Sequence, residues 1–324
     1  MTLPSVSGSD RSSTLSAHMP AGAALRLICR QQLAAIERHR PGARFGRDPE
    51  ELHDLRVAVR RTRSALGEFR THFPAGPRER FRGEFRWLGE VSGPVRDLDV
   101  YLEQLPAYRA LLPVDAAAAL EPFRRFLLRH RHLEQRRLVR RLDSARLRTL
   151  LADWQHFLAD ADDSIWPEAA GLPAGEVARR RIWKLYRRFI RQAAAIAPDS
   201  ADHDLHRLRI TGKKLRYLVE FFRALYPTAE IDLLIKAMKG IQDFLGEYQD
   251  CTVQQAHLGE MAQQMAIEGG IPQATDQALQ QLVAALRQRQ HRLRGKFPAR
   301  FRVFSRGRGR RGFVRLFAPA EESS

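Results

Sequence analysis

With 324 residues, 44% of them hydrophobic, the chain is long enough to bury a core as two domains or as one domain of two similar halves. Its net charge of +18 and pI near 11.0 call for an acidic partner: nucleic acid, an anionic membrane surface or a polyphosphate. Cys29 and Cys251 are the only cysteines, which excludes a disulfide framework and a four-cysteine zinc site.

Residues 1–20 are Ser-rich and polar, lack the apolar stretch of a secretory signal, and are expected to be a disordered start. No run of 18 apolar residues exists, so no membrane span is expected and a cytoplasmic protein is the default. From Ala21 the pattern is helical. A first helix over about 21–39 carries Leu25, Ile28, Leu33 and Ile36 and is expected to stop before Pro41-Gly42. Asp48-Pro49-Glu50 supplies an N-cap and a Pro at N1 for a second helix, which ends near Phe73. A third follows at about 77–92, and then GPVRDLDVYL.

Basic helical segments at about 115–141 and 144–161 suit partners that complete a bundle. Further helices are expected at 174–197, closed by Pro198, and at 203–225, 247–268 and 272–293, with Gly269-Gly270 between the last two. The glycines of RVFSRGRGRRGFVRLF argue against a continuous helix over 294–317.

One stretch occurs twice. LHDLRVAVRRTRSALGEF at 52–69 and LHRLRITGKKLRYLVEFF at 205–222 align at an offset of 153 residues. His53, Arg56, Arg60, Arg61, Arg63 and Phe69 fall opposite His206, Arg209, Lys213, Lys214, Arg216 and Phe222. At about 100° per residue, His53, Arg56, Arg60 and Arg63 share one helix stripe, as do His206, Arg209, Lys213 and Arg216. An apolar stripe ending in Phe69 or Phe222 runs beside each. The same offset relates Arg86 to Lys239, Gly93 to Gly246, Asp97 to Asp250 and Val100 to Val253. This insertion-free register, 21–103 against 174–256, is read as an internal duplication. Cations placed twice at a core edge imply a polyanion there, and Arg86 and Lys239 rank as outer contacts. Asp97 and Asp250 are expected to partner a cation or cap a helix, not to bind a ligand.

The repeated pattern His-x-x-Arg-Val/Ile-x-x-Arg/Lys-Arg/Lys-x-Arg, with Leu-Gly-x-x-x-Asp about 30 residues later, resembles the CHAD family, the conserved-histidine α-helical domains. The second copy, followed by IQDFLGEYQD, is the more typical, and GPVRDLDV matches in the first. The resemblance covers about 21–317, with halves of about 21–165 and 174–317 and a tail at 318–324. It implies an all-α fold: two four-helix bundles about a pseudo-twofold axis, a basic cleft or pore between them, and binding of inorganic polyphosphate, on polyphosphate granules in some members. Many members are joined to a CYTH-type triphosphatase domain. These 324 residues are read as leaving no room for one, so that enzymatic context is not expected here.

The residues point the same way. Arg grips phosphate oxygens in bidentate fashion and Lys acts as a point charge, while His53 and His206 donate from neutral imidazole or, near phosphate, charge up. His203 and His206 stand three apart, but Glu50 takes the place of His203 in the first copy and no carboxylate or Cys cluster joins them, so no metal is expected. No Gly-x-x-x-x-Gly-Lys-Ser/Thr loop, Gly-x-Ser-x-Gly elbow, Rossmann fingerprint or carboxylate pair for catalytic Mg²⁺ is present, so binding without catalysis or cofactor is expected. A nucleic-acid binder is the alternative, argued from the pI and the Arg-Gly run at 306–312, although no aromatics interleave with the cation stripe to stack bases. A non-catalytic regulator of a separate polyphosphate enzyme also stays open.

Overall fold

The computed structural model describes residues 14–160, 164–197 and 199–319. Among them every regular element is helical: α1 (Ala21–Phe45), α2 (Pro49–Glu68), α3 (Ala75–Val91), α4 (Gly93–Arg109), α5 (Val114–Ala118), α6 (Glu121–Leu142), α7 (Ala145–Ala159), α8 (Ala174–Ala194), α9 (Asp202–Phe221), α10 (Thr228–Gly269), α11 (Gln273–Arg306) and α12 (Arg308–Phe317). The expected N-cap holds, since Asp48 accepts from the backbone N–H of Glu50 at 2.9 Å and Pro49 opens α2.

In the first half α1 packs on α2 and α7, α2 on α3, α3 on α7, and α4 on α6. The second half repeats that pattern: α8 on α9 and α12, α9 on α10, α10 on α12 and α11. Contacts of α1 with α8, α2 with α9, and α5 and α6 with α11 join the two bundles.

Several boundaries differ from expectation. Helix α1 runs through Pro41-Gly42 and ends at Gly46, which takes the left-handed conformation (φ 67°) that glycine adopts at little cost. Pro41 forfeits one backbone hydrogen bond, but Ala43 is buried beyond it, and His39 Nδ1 meets Glu51 Oε2 of α2 at 2.8 Å. At Gly42 a Cβ would lie 2.4 Å from Glu51 Cγ, so that glycine serves close packing of α1 on α2.

The first half breaks at Ser92 before Pro94, whereas α10, 42 residues long in all, runs unbroken through the matching point. Pro94 lacks the N–H a continuing helix needs, and Glu247, its counterpart by offset, supplies one. The single basic segment expected at 115–141 is instead the short α5 and then α6, which restarts with Pro122 in its first turn. Over 294–317 the interruption is confined to Gly307, and Gly295, Gly309 and Gly312 sit inside helices. The expected closure by Pro198 and the disorder of residues 1–13 fall outside the described residues. Residues 14–20 are placed: the carbonyls of Ala17 and Met19 accept from the N–H groups of Gly175 and Ala174, fastening this segment to the start of α8.

Candidate functional site

Toward their C-terminal ends, helices α2 and α9 touch. Phe69 and Phe222 meet edge to face with centroids 5.6 Å apart. Around them, charges reach across both ways. Arg61 of α2 pairs with Glu220 of α9, and Lys214 of α9 pairs with Glu68 of α2 at 2.9 Å. Arg181 of α8 adds a second hydrogen bond to Glu68 at 2.6 Å. These partners hold the Glu68 carboxylate below its usual range although burial alone would raise it. Arg61 and Lys214 therefore brace the helix pair, a role the repeat did not reveal.

The other cations of the two stripes form one connected field. Arg56 donates from Nη1 to the Gly89 carbonyl at 2.7 Å and to Ser92 Oγ at 2.9 Å, and its guanidinium lies against Gly93. Arg209 lies against Gly246 in the same way and pairs loosely with Asp250 at 3.7 Å. Burial, then the charges of Arg209 and Arg60, lower Lys213 to about 8. Burial and neighbouring cations, among them Arg60, Arg63 and Arg96, likewise lower Arg56.

Among the described residues, Arg60, Arg63 and Lys213 have no ion-pair or hydrogen-bond partner, and the buried Nε donors of Arg56, Arg60 and Arg209 are unmatched. Arg216 is more engaged, with Gln242 at 2.8 Å and Glu220 at 3.1 Å. Of the outer pair, Arg86 is exposed and bound to Glu90 at 2.8 Å, and Lys239 is exposed on α10.

Each histidine has a neighbour that the repeat predicts once it is read one residue further back from the aspartate. His206 Nδ1 meets Gln249 Oε1 at 2.9 Å, and its counterpart His53 lies beside Arg96, the offset equivalent of Gln249. Burial and the Arg96 charge lower His53, so it is neutral at pH 7. Burial raises Asp97 and Asp250, and the nearest cations, Arg56 and Arg209, oppose that rise, which places both acids beside the signature arginines as expected.

A cavity of about 410 Å³ opens beside Arg209, Lys213 and Arg216, walled by α10 and closed from the first half by Gln104 and Tyr108 of α4. Its carboxylates include Glu247, tied to Arg289 of α11 at 2.6 Å, and Asp250, next to Arg209. Gln104, Tyr108 and Arg289 were missed because they lie outside the repeated stretch and reach the site only through packing.

The starts of both signature helices are fastened from outside the repeat. Arg131 of α6 bonds Asp99 Oδ1 at 2.7 Å and the Gly46 carbonyl at 2.8 Å. Asp202 is held by Gln290 at 2.9 Å and Arg294 at 3.0 Å of α11, joined by Tyr248 from within the repeat.

A model of the CHAD domain matches residues 27–259. The chain belongs to the CHAD domain family. It superposes on the crystal structure of the CHAD domain from the plant Ricinus communis with a TM-score of 0.75 and 29% identity, covering 94% of this chain and 96% of that one. A second solved structure, PptA from Streptomyces chartreusis, shares the fold with a TM-score of 0.66 at 20% identity, over 87% of this chain and 99% of its own. The uncharacterized protein Rv2226 of Mycobacterium tuberculosis is 31% identical over 224 residues, or 66% of this chain and 40% of that protein. The CHAD chain thus spans well under half the length of that curated relative. Among the described residues no helix is long and apolar enough to cross a membrane.

Proposed function

We propose that this CHAD protein binds inorganic polyphosphate through the shared cation field of α2 and α9, without catalysis and without a cofactor. The observation that carries the reading is the charge repulsion between Arg60 and Lys213, offset equivalents that are half-buried and make no ion pair or hydrogen bond among the described residues. Like charges in such a place repel each other and cost stability unless an anion joins them. Polyphosphate is a dense string of such anions. Arg56, Arg60, Arg63, Arg209, Lys213 and Arg216 are the proposed contacts, with His53 and His206 flanking them and Arg86 and Lys239 farther out.

The family resemblance supports the choice of polymer, and so does the lack of an open stacking platform within the α2–α9 field. Tyr217 does lie under the guanidiniums of Arg61 and Arg216, at 5.7 and 5.5 Å, but at 6% exposure it offers no face to a base. A cytoplasmic setting and association with polyphosphate granules belong to the same proposal. The test is a binding competition between long-chain polyphosphate, tripolyphosphate and RNA of matched charge, with phosphate release monitored in Mg²⁺. Displacement of long polyphosphate by RNA at equal ionic strength, or released orthophosphate, overturns the reading.

A further inference from the structure

A second cationic cavity, of about 560 Å³, lies between α8, α11 and α12 and shares no residue with the field of α2 and α9. Its walls combine Trp183 and Phe301, both partly exposed, with the guanidiniums of Arg187, Arg306 and Arg310. No carboxylate lines it, whereas the cavity beside Lys213 holds three: Asp243, Glu247 and Asp250.

The aromatic wall is backed by the core. Trp183 stacks on Tyr186 at 5.4 Å, and Tyr186 stacks on Phe313 at 4.3 Å. The indole N–H of Trp183 is buried and finds no acceptor among the described residues. Tyr186, raised to about 12 by burial, is pulled back by the Arg310 charge, which places that guanidinium near the stack.

The 153-residue offset puts Arg30, Leu33, Ala34 and Glu37 of α1 opposite Trp183, Tyr186, Arg187 and Ile190. The first half thus lacks these rings, and the cavity as lined belongs to the second half.

We infer that this cavity is a nucleotide site, taking a nucleobase against Trp183 and Phe301 and its phosphates against Arg187, Arg306 and Arg310. Aromatic faces held rigid beside arginines are what bases and phosphates require together, and the volume lies in the range of small-molecule sites. A bare phosphate chain uses the arginines but gains nothing from the rings. The nucleotide comes either free or as an unpaired stretch of a nucleic-acid strand.

The test titrates the full chain with ATP, tripolyphosphate and a short single-stranded oligoadenylate. An Arg60→Gln/Lys213→Gln background keeps the central field from competing, so failure here is separate from failure of the polyphosphate reading. ATP or the oligoadenylate is expected to bind roughly 10-fold or more tighter than tripolyphosphate, the usual scale of a lost base–aromatic stack. Trp183→Ala erases that margin and Trp183→Phe keeps most of it. An advantage seen with ATP identifies a free nucleotide, and one seen only with the oligoadenylate identifies a strand. Because Trp183→Ala disturbs a packed ring, Arg310→Glu at an exposed position is the second variant, compared with Arg137→Glu on α6 for equal charge change. Arg310→Glu is expected to cost about 10-fold and Arg137→Glu little. Equal affinity for all three probes, a margin that survives Trp183→Ala in a folded protein, or equal effects of the two charge reversals would overturn the inference.

Discussion

Phe69 and Phe222 stand at the same place in two sequence stretches 153 residues apart, and in the folded protein they pack on each other, both almost wholly buried, with ring centroids at 5.6 Å. The two helices that carry the cation stripes are therefore clamped at one end. That contact ties together the helices that carry Arg60 and Lys213. Replacing Phe222 by Ala removes a ring from a full core and should cost about 3–5 kcal/mol in denaturant unfolding. The same variant should bind polyphosphate more weakly under conditions where it is folded, because the two stripes lose their shared anchor. Unchanged affinity in the folded variant would show that the clamp does not set the site.

The braces and the binding cations should separate in mutants. Arg61→Gln leaves Glu220 with Arg216 alone, and Glu68→Gln strips the charge from the shared partner of Lys214 and Arg181. Each is expected to lower stability by about 1–3 kcal/mol with little change in polyphosphate affinity. Arg60→Gln and Lys213→Gln should do the reverse, weakening binding strongly while leaving or raising the melting temperature. Thermal melts paired with titrations decide it, and a parallel loss of both properties in the Arg60 and Lys213 variants would place those residues in the frame instead.

Lys213 gives a pH signature. Its pKa in the folded chain is about 8, below the 10.5 of an unhindered lysine, so the folded state resists its charge. Its penalty on stability is full below pH 8 and is relieved as pH rises from 8 toward 10.5, where the unfolded chain still holds the proton. Binding runs the opposite way. A polyanion favours the charged amine, so affinity should fall between pH 7 and pH 9 with uptake of a proton at the higher pH. Lys213→Arg should flatten that fall. Dissociation constants for the two proteins across this range check it, and parallel curves would remove Lys213 from the site.

His53 should report occupancy without any mutation. Burial and Arg96 hold it below the usual histidine range in the free protein, and an added phosphate chain should raise it. NMR titration of the imidazole with and without polyphosphate measures the change. No upward movement at saturation would put the chain away from the N-terminal end of α2.

Length dependence is the remaining expectation. Polyphosphate long enough to meet the cations of both helices should bind tighter than tripolyphosphate, because the second set of contacts forms within one complex. Affinity should drop steeply with salt. RNA bound at the Trp183 cavity should leave polyphosphate in place, whereas simple displacement would merge the two sites into one.

The sequence by itself determined the all-helical fold, the two stripes and their pairing at one offset, since 3.6-residue periodicity and a repeated pattern are written along the chain. It also determined the Asp48-Pro49 start of α2, because a cap needs only neighbours. It misjudged Pro41-Gly42 as a stop, since packing of α1 on α2 outweighs one missing hydrogen bond, and it could not see that Pro94 and Glu247 would split one half and fuse the other. What only the tertiary structure decided is which cations are spent. Arg61 and Lys214 look like Arg60 and Lys213 in the sequence, one residue further along each helix. That step of about 100° turns the first pair toward Glu220 and Glu68 and leaves the second repelling each other with no ion pair or hydrogen bond among the described residues.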